Sequence, residues 1–190
     1  MARRSDSSVV AWGDNTYGQC NVPALPPGSS YVEVAAGGSG YSVVRLGPDS
    51  PVVYCTAKTT SSGCVPAIGF SGAPSASAGS AFLITASQVE PQKSGIFFYG
   101  TSGQQAGYFQ GGTLCVKSPL VRTALQNSGG SAPCSGSYSM DFNAYIASGK
   151  DPGLTAGVTV DGQYWFRDPG FLLPNPTTGL SNAIEFTIDP

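Results

Sequence analysis

The chemistry open to this chain is limited first by a missing residue type. Among its 190 residues there is no histidine, the commonest general base and the usual partner of a serine or cysteine nucleophile. Most hydrolase templates fail on that ground. Glycoside hydrolysis needs only two carboxylates about 5–10 Å apart, and among eleven acidic residues the candidates are Asp141, Asp168 and Glu185. Each also has a simpler reading: Asp141 as an acid starting a short helix, Asp168 as the residue fixing the Pro169-Gly170 turn, Glu185 on the solvent face of a strand. No catalytic residue is assigned. The most distinctive polar and aromatic cluster is Trp165, Arg167 and Asp168, where an indole beside a guanidinium offers a binding platform for a sugar or a partner protein. The competing reading buries Trp165 as a core anchor and pairs Arg167 with Asp168 or another carboxylate.

Five cysteines are present. Cys55 and Cys64 are nine residues apart in the sequence, and Cys115 and Cys134 bracket a loop rich in Gly, Ser and Asn, the layout of local bridges across β-connections. Two disulfides are expected, Cys55–Cys64 and Cys115–Cys134, with Cys20 left over. Without histidine or a Cys-x-x-Cys pair no zinc site is expected, and no Asp-x-Asp-x-Asp array marks a calcium loop. The glycine pairs at Gly37-Gly38 and Gly111-Gly112 neither open a helix nor precede the Lys-Ser/Thr of a phosphate loop. No metal or cofactor is assigned.

The elements that must position these residues are strands. Charged residues are only 11% of the chain, and 26 Gly and 15 Pro interrupt it every few residues, which leaves little room for the windows a helix requires. Short apolar or alternating runs predict strands over 51–56, 65–70, 81–87, 95–99, 113–117, 158–167 and 183–188. Only 140–147 reads as helical, with Phe142, Tyr145 and Ile146 on one face and a stop at Gly149. Alternation along 158–167 puts Tyr164 and Phe166 on one face and Trp165 and Arg167 on the other. A net charge of −2 with scattered basic residues gives no footprint for nucleic acid, and no apolar stretch is long enough to span a bilayer. No signal peptide is visible after Ala2-Arg3-Arg4. The cysteines nonetheless point to an exported protein, of which this chain is expected to be a piece or to lack its leader.

Two resemblances refine this. Val9-Val10-Ala11-Trp12-Gly13-Asp14-Asn15-Thr16-Tyr17-Gly18-Gln19, followed by Val32-Glu33-Val34-Ala35-Ala36-Gly37-Gly38, resembles one repeat of the regulator-of-chromosome-condensation β-propeller family. The likeness implies a blade-like antiparallel unit over residues 1–50 with Trp12 in its core. Gly40-Tyr41-Ser42 stands where the usual repeat carries a His-Ser pair, as in a terminal blade. The nucleotide-exchange activity of whole rings is not implied, because a single blade cannot close a ring. Residues 51–190, through Gly63-Cys64, Phe98-Tyr99-Gly100, Gly112-Thr113-Leu114-Cys115-Val116, Trp165-Phe166-Arg167-Asp168-Pro169 and Leu180-Ser181-Asn182-Ala183-Ile184, resemble a C-terminal domain recurring in large exported proteins of environmental bacteria. That likeness implies an extracellular or surface location and an attachment or sorting position, and it carries no catalytic residues.

The resulting expectation is an all-β protein, a β-sandwich over 51–190 preceded by a single propeller-blade-like repeat. Its function is expected to be non-enzymatic binding or adhesion at the cell surface, toward carbohydrate or another surface protein, through Trp165, Arg167 and Asp168. A subunit that self-assembles through the open edges of the blade, forming a homo-oligomer, is the first alternative. A small carbohydrate-active hydrolase using paired carboxylates is the second.

Overall fold

The computed structural model describes the chain apart from residues 5–7, 26–28, 37–41, 49–50, 78 and 173–175, so the Gly37-Gly38 pair and the Gly40-Tyr41 step lie outside the described residues. The fold is all-β, and the chain divides into two compact units, Met1–Ser50 and Pro51–Pro190.

In the first unit β1 (Ala2–Arg3) pairs with β2 (Val9–Val10), and β3 (Ser29–Ala36) pairs with β4 (Ser42–Pro48), both antiparallel. Tyr31 is its buried anchor; its hydroxyl donates to the Pro23 carbonyl at 2.6 Å. Asp14 closes the turn after Gly13 by accepting from the Thr16 amide and hydroxyl, an Asx-type turn. Trp12 is 67% exposed, which corrects the expectation that it fills a blade core. A blade buries such a residue against its neighbours in the ring.

The second unit is built on two antiparallel sheets. The larger runs in the order β11 (Val121–Arg122), β8 (Ser94–Gly100), β14 (Thr159–Arg167), β15 (Thr178–Thr187), β5 (Val52–Tyr54), with β12 (Gln126–Asn127) also paired to β8. The smaller is β13 (Gly136–Asp141), β7 (Leu83–Val89), β6 (Ala67–Ser71). Alternation on the long strands decides what lies between them. Phe97 and Tyr99 from β8, Val160, Tyr164 and Phe166 from β14, and Ile184 and Phe186 from β15 turn one way and meet Ile84, Ala86 and Tyr138 from the smaller sheet. All are buried, and the rings interlock: Tyr138 stacks on Tyr164 with centroids 5.4 Å apart, and Phe142 meets Phe186 edge-on at 5.1 Å. Two facing sheets with aromatic residues interdigitated between them make a sandwich-like core. Gly162 is required there, because a Cβ at this position would overlap the Phe97 ring.

The helix α1 (Phe142–Ala147) caps one end of this core. Asp141 is its N-cap, accepting from the Ala144 amide at 3.1 Å, so the acid read from sequence as a helix starter has that role.

The opposite face of the larger sheet is covered by a hairpin, β9 (Gln104–Phe109) and β10 (Gly112–Val116). Gln110 and Gly111 both have positive φ, 49° and 78°, the conformation of a two-residue type I′ turn. A disulfide between Cys55, just after β5, and Cys115 on β10 ties the hairpin to the sheet edge, and a second joins Cys64 to Cys134. The expected pairing, Cys55–Cys64 and Cys115–Cys134, is therefore wrong although the four residues are right. After Cys55 the chain stays extended beside β15: Tyr54 lies opposite Ala183 and the Lys58 amide donates to the Leu180 carbonyl. That extended run carries Cys64 away from Cys55 and into a loop where Thr60 donates to buried Glu90. Among the described residues Cys20 is the free cysteine.

Candidate functional site

The strand β14 positions the sequence candidates, and its two faces separate them. Trp165 and Arg167 lie on the hairpin side, opposite to the core residues Tyr164 and Phe166. Asp168 does not join them. It is 1% exposed and gives both carboxylate oxygens to Ser61, accepting from its amide at 2.8 Å and its hydroxyl at 2.5 Å, so it fastens the segment carrying Ser61 to the end of β14. Arg167 makes no ion pair with it; its guanidinium lies over the Trp165 ring, 5.5 Å from the centroid. The indole is neither a bare platform nor a core anchor. It is half-buried, and its Nε1–H donates to Gln110 Oε1 at 3.0 Å.

Gln110 is itself held from below. The Lys58 ammonium is 8% exposed and donates to the carbonyls of Gln110, Pro176 and Thr178 at 2.9, 3.0 and 2.6 Å, with the Phe171 ring 4.2 Å away. Burial pulls its pKa down and the Asp168 carboxylate partly restores it. Three carbonyl acceptors on a desolvated cation are strong hydrogen bonds, so the hairpin tip and the indole it holds are fixed in place.

Between this tip and the sheet lies a cleft of about 270 Å³, lined by Ile96, Phe98, Phe109, Gln110, Leu114, Leu120, Arg122 and Trp165. The floor follows from register: Ile96 sits opposite Trp165, and Arg122 opposite Phe98. A register shift in the β14–β15 pairing falls between Gln163 and Trp165, and such irregularities re-aim side chains beside sites. Here Ser181 Oγ accepts the Tyr164 amide at 3.0 Å at the irregularity. Residues 51–190 contain two arginines, Arg122 and Arg167. Arg122 lines the cleft, Arg167 covers its indole wall, and both are exposed.

At the other end of the hairpin a polar cluster is sealed. Gln163 is fully buried; its amide donates to the Thr113 and Ser181 carbonyls and its oxygen accepts the Cys115 amide. Next to it Asp161 is 0% exposed, accepts from the Tyr54 hydroxyl at 2.8 Å and lies opposite Glu185 in the β14–β15 register. Glu185 accepts from Gln104 Nε2 at 2.9 Å. Burial pushes the Asp161 carboxyl up, the Tyr54 hydrogen bond opposes that, and the Glu185 charge adds to it. Burial beside this acid also holds the Tyr54 phenol far above its ordinary value.

The three acids nominated from sequence are not gathered. Asp168 lies seven positions along β14 from the residue opposite Glu185, roughly 23 Å at about 3.3 Å per residue. Asp141 is engaged at the helix start. The adjacent pair is Asp161 with Glu185, but Asp161 is closed off beneath the hairpin, where no glycan reaches. Among the described residues no group of three or more acidic or cysteine side chains is placed to hold a metal. Sequence reasoning missed Lys58, Gln110, Arg122 and Asp161. Gln110-Gly111 between two runs was the available signal for the hairpin, whereas the partners of Lys58 and Asp161 come from residues 24 to 120 positions away in sequence.

Comparison of the chain with family models, with curated proteins and with solved structures gives no match.

Proposed function

We propose that residues 51–190 form a non-enzymatic binding module of an exported protein, and that its ligand enters the cleft walled by Trp165. The observation that carries this reading is the fixed apolar cleft itself. The sandwich core is complete without it, yet a buried lysine, a hairpin turn and an indole hydrogen bond combine to hold it open. Concave, mostly apolar and preformed sites with a few polar groups are the usual form of ligand pockets. Two disulfides support an oxidising compartment. Among the described residues no helix is long and apolar enough to cross a membrane. A hydrolase is disfavoured because Asp161, which lies opposite Glu185, is fully buried.

The test is a binding panel of polysaccharides, surface proteins and small carboxylates, probed with the intact chain and with Trp165→Phe and Gln110→Ala variants. The reading expects a binder whose signal falls at least tenfold in one of the variants while the melting temperature is retained. No binder across the panel, or binding indifferent to both substitutions, contradicts it.

A further inference from the structure

Resting on that reading of the cleft, we infer the class of its ligand: a small, free amphiphilic carboxylate, with an acyl or comparably apolar body ending in one negative charge. Two independent features of the cleft meet in this chemistry. The lining from Ile96, Phe98, Phe109, Leu114 and Leu120 is aliphatic and aromatic. The one polar side chain of the lining other than Arg122 and Trp165 is Gln110, and its oxygen is already taken by the indole. A sugar placed against these five side chains would set most of its hydroxyls against groups that cannot hydrogen-bond, which is costly. An apolar body is released from water instead.

The second feature is charge. Both arginines of residues 51–190 stand at this cleft, and the hydrogen bonds and ion pairs of the described residues use neither guanidinium group. Arg167 is held over the indole, so its fork of donors is oriented while remaining unspent. Guanidinium groups are suited to donating to a carboxylate bidentately. Apolar floor and cationic rim together select a molecule that is hydrophobic at one end and anionic at the other. Size limits it further: about 270 Å³ is just below the usual range of about 300–1,000 Å³ for ligand sites. A short chain or a single ring fits, and a polymer does not.

The experiment is calorimetric titration of the intact chain with decanoate, decan-1-ol and decyltrimethylammonium, repeated on an Arg122→Gln/Arg167→Gln double variant. Both arginines are exposed, so the variant retains the fold, verified by an unchanged melting curve. Expected are saturable binding of one decanoate per chain, binding of the cation at least tenfold weaker, and a loss of at least tenfold in decanoate affinity in the variant with decanol affinity unchanged. Equal binding of all three probes, or full affinity in the variant, overturns the anionic ligand while leaving the cleft a binding site. Binding of phosphatidylglycerol vesicles, titrated in parallel, with no binding of decanoate overturns the free ligand in favour of a membrane surface. Failure of all three probes overturns the ligand class, and the Trp165 panel then decides separately whether the cleft binds anything.

Discussion

Asp161 shows how a single side chain can be placed against its own chemistry. It lies directly opposite Glu185 on the neighbouring strand, fully buried, and its Oδ2 has no hydrogen-bond donor. Like charges in cross-strand positions are destabilising, and a buried unsatisfied polar atom costs about 1–3 kcal/mol. Protonation relieves both, since the added hydrogen can be shared with Glu185. The folded-state pKa of Asp161 is raised above its ordinary 3.8, so the folded chain holds this proton more tightly than the unfolded chain. The contribution to stability is therefore complete below that ordinary value and is lost as pH rises through the raised one. Asp161→Asn mimics the protonated acid: its oxygen accepts from Tyr54 and its amide donates to Glu185. Urea denaturation should show the variant equal to the parent at low pH and about 1–3 kcal/mol more stable at pH 8. A constant difference across pH would show that Asp161 and Glu185 do not share a proton.

At the scale of elements, the β9–β10 hairpin organises the face that carries the cleft. It seals Asp161 and Gln163 at its base and holds Trp165 at its tip. Lys58 is the fastener, and replacing it with Met should leave three carbonyls without their donor. Leaving buried acceptors unsatisfied costs about 1–3 kcal/mol, so Lys58→Met should lower stability by roughly that amount and speed amide exchange around Gln110–Gly112. Unchanged exchange at the tip would mean that the turn holds itself. The hairpin was legible in one strand, 113–117 from sequence against Gly112–Val116 in the fold, and not in the other. Gln104–Phe109 carries two glutamines, an alanine and a glycine before its aromatic residues, so it has no apolar alternation to read. Gly136–Asp141 was missed similarly, with Tyr138 and Met140 alone marking its inner face. Strands with β-branched and aromatic alternation were legible almost to the residue: 158–167 from sequence against Thr159–Arg167 in the fold, and 95–99 against Ser94–Gly100. The helix was legible as well, through the apolar face of Phe142, Tyr145 and Ile146 and the stop at Gly149. The strand expected over 183–188 in fact begins at Thr178, because a register shift near Ser181-Asn182 lets a polar stretch continue the ladder. The cleft was half legible: alternation placed Trp165 and Arg167 together, but Gln110 and Arg122 reach them only through sheet order.

For the whole molecule, the cross-links are long-range, with sequence separations of 60 and 70 residues. Loop-closure entropy makes each worth about 4 kcal/mol, against roughly 2.5–3 for bridges spanning nine and nineteen residues. Peptide mapping under non-reducing conditions should therefore return Cys55–Cys115 and Cys64–Cys134, and reduction should lower the melting temperature sharply. Recovery of Cys55–Cys64 would contradict the position of the hairpin over the sheet. On the proposed reading of an exported binding module, the same covalent frame keeps the small cleft preformed, so that binding energy is not consumed in ordering the site.

The cleft is tested most directly by following its indole. The chain has two tryptophans: Trp12, exposed in the first unit, and Trp165, hydrogen-bonded to Gln110 in the cleft wall. In a nitrogen-15 indole spectrum of the intact chain titrated with decanoate, the Trp165 Nε1–H signal should shift saturably while that of Trp12 stays still. Movement of neither signal, or equal movement of both, would contradict a binding site at Trp165.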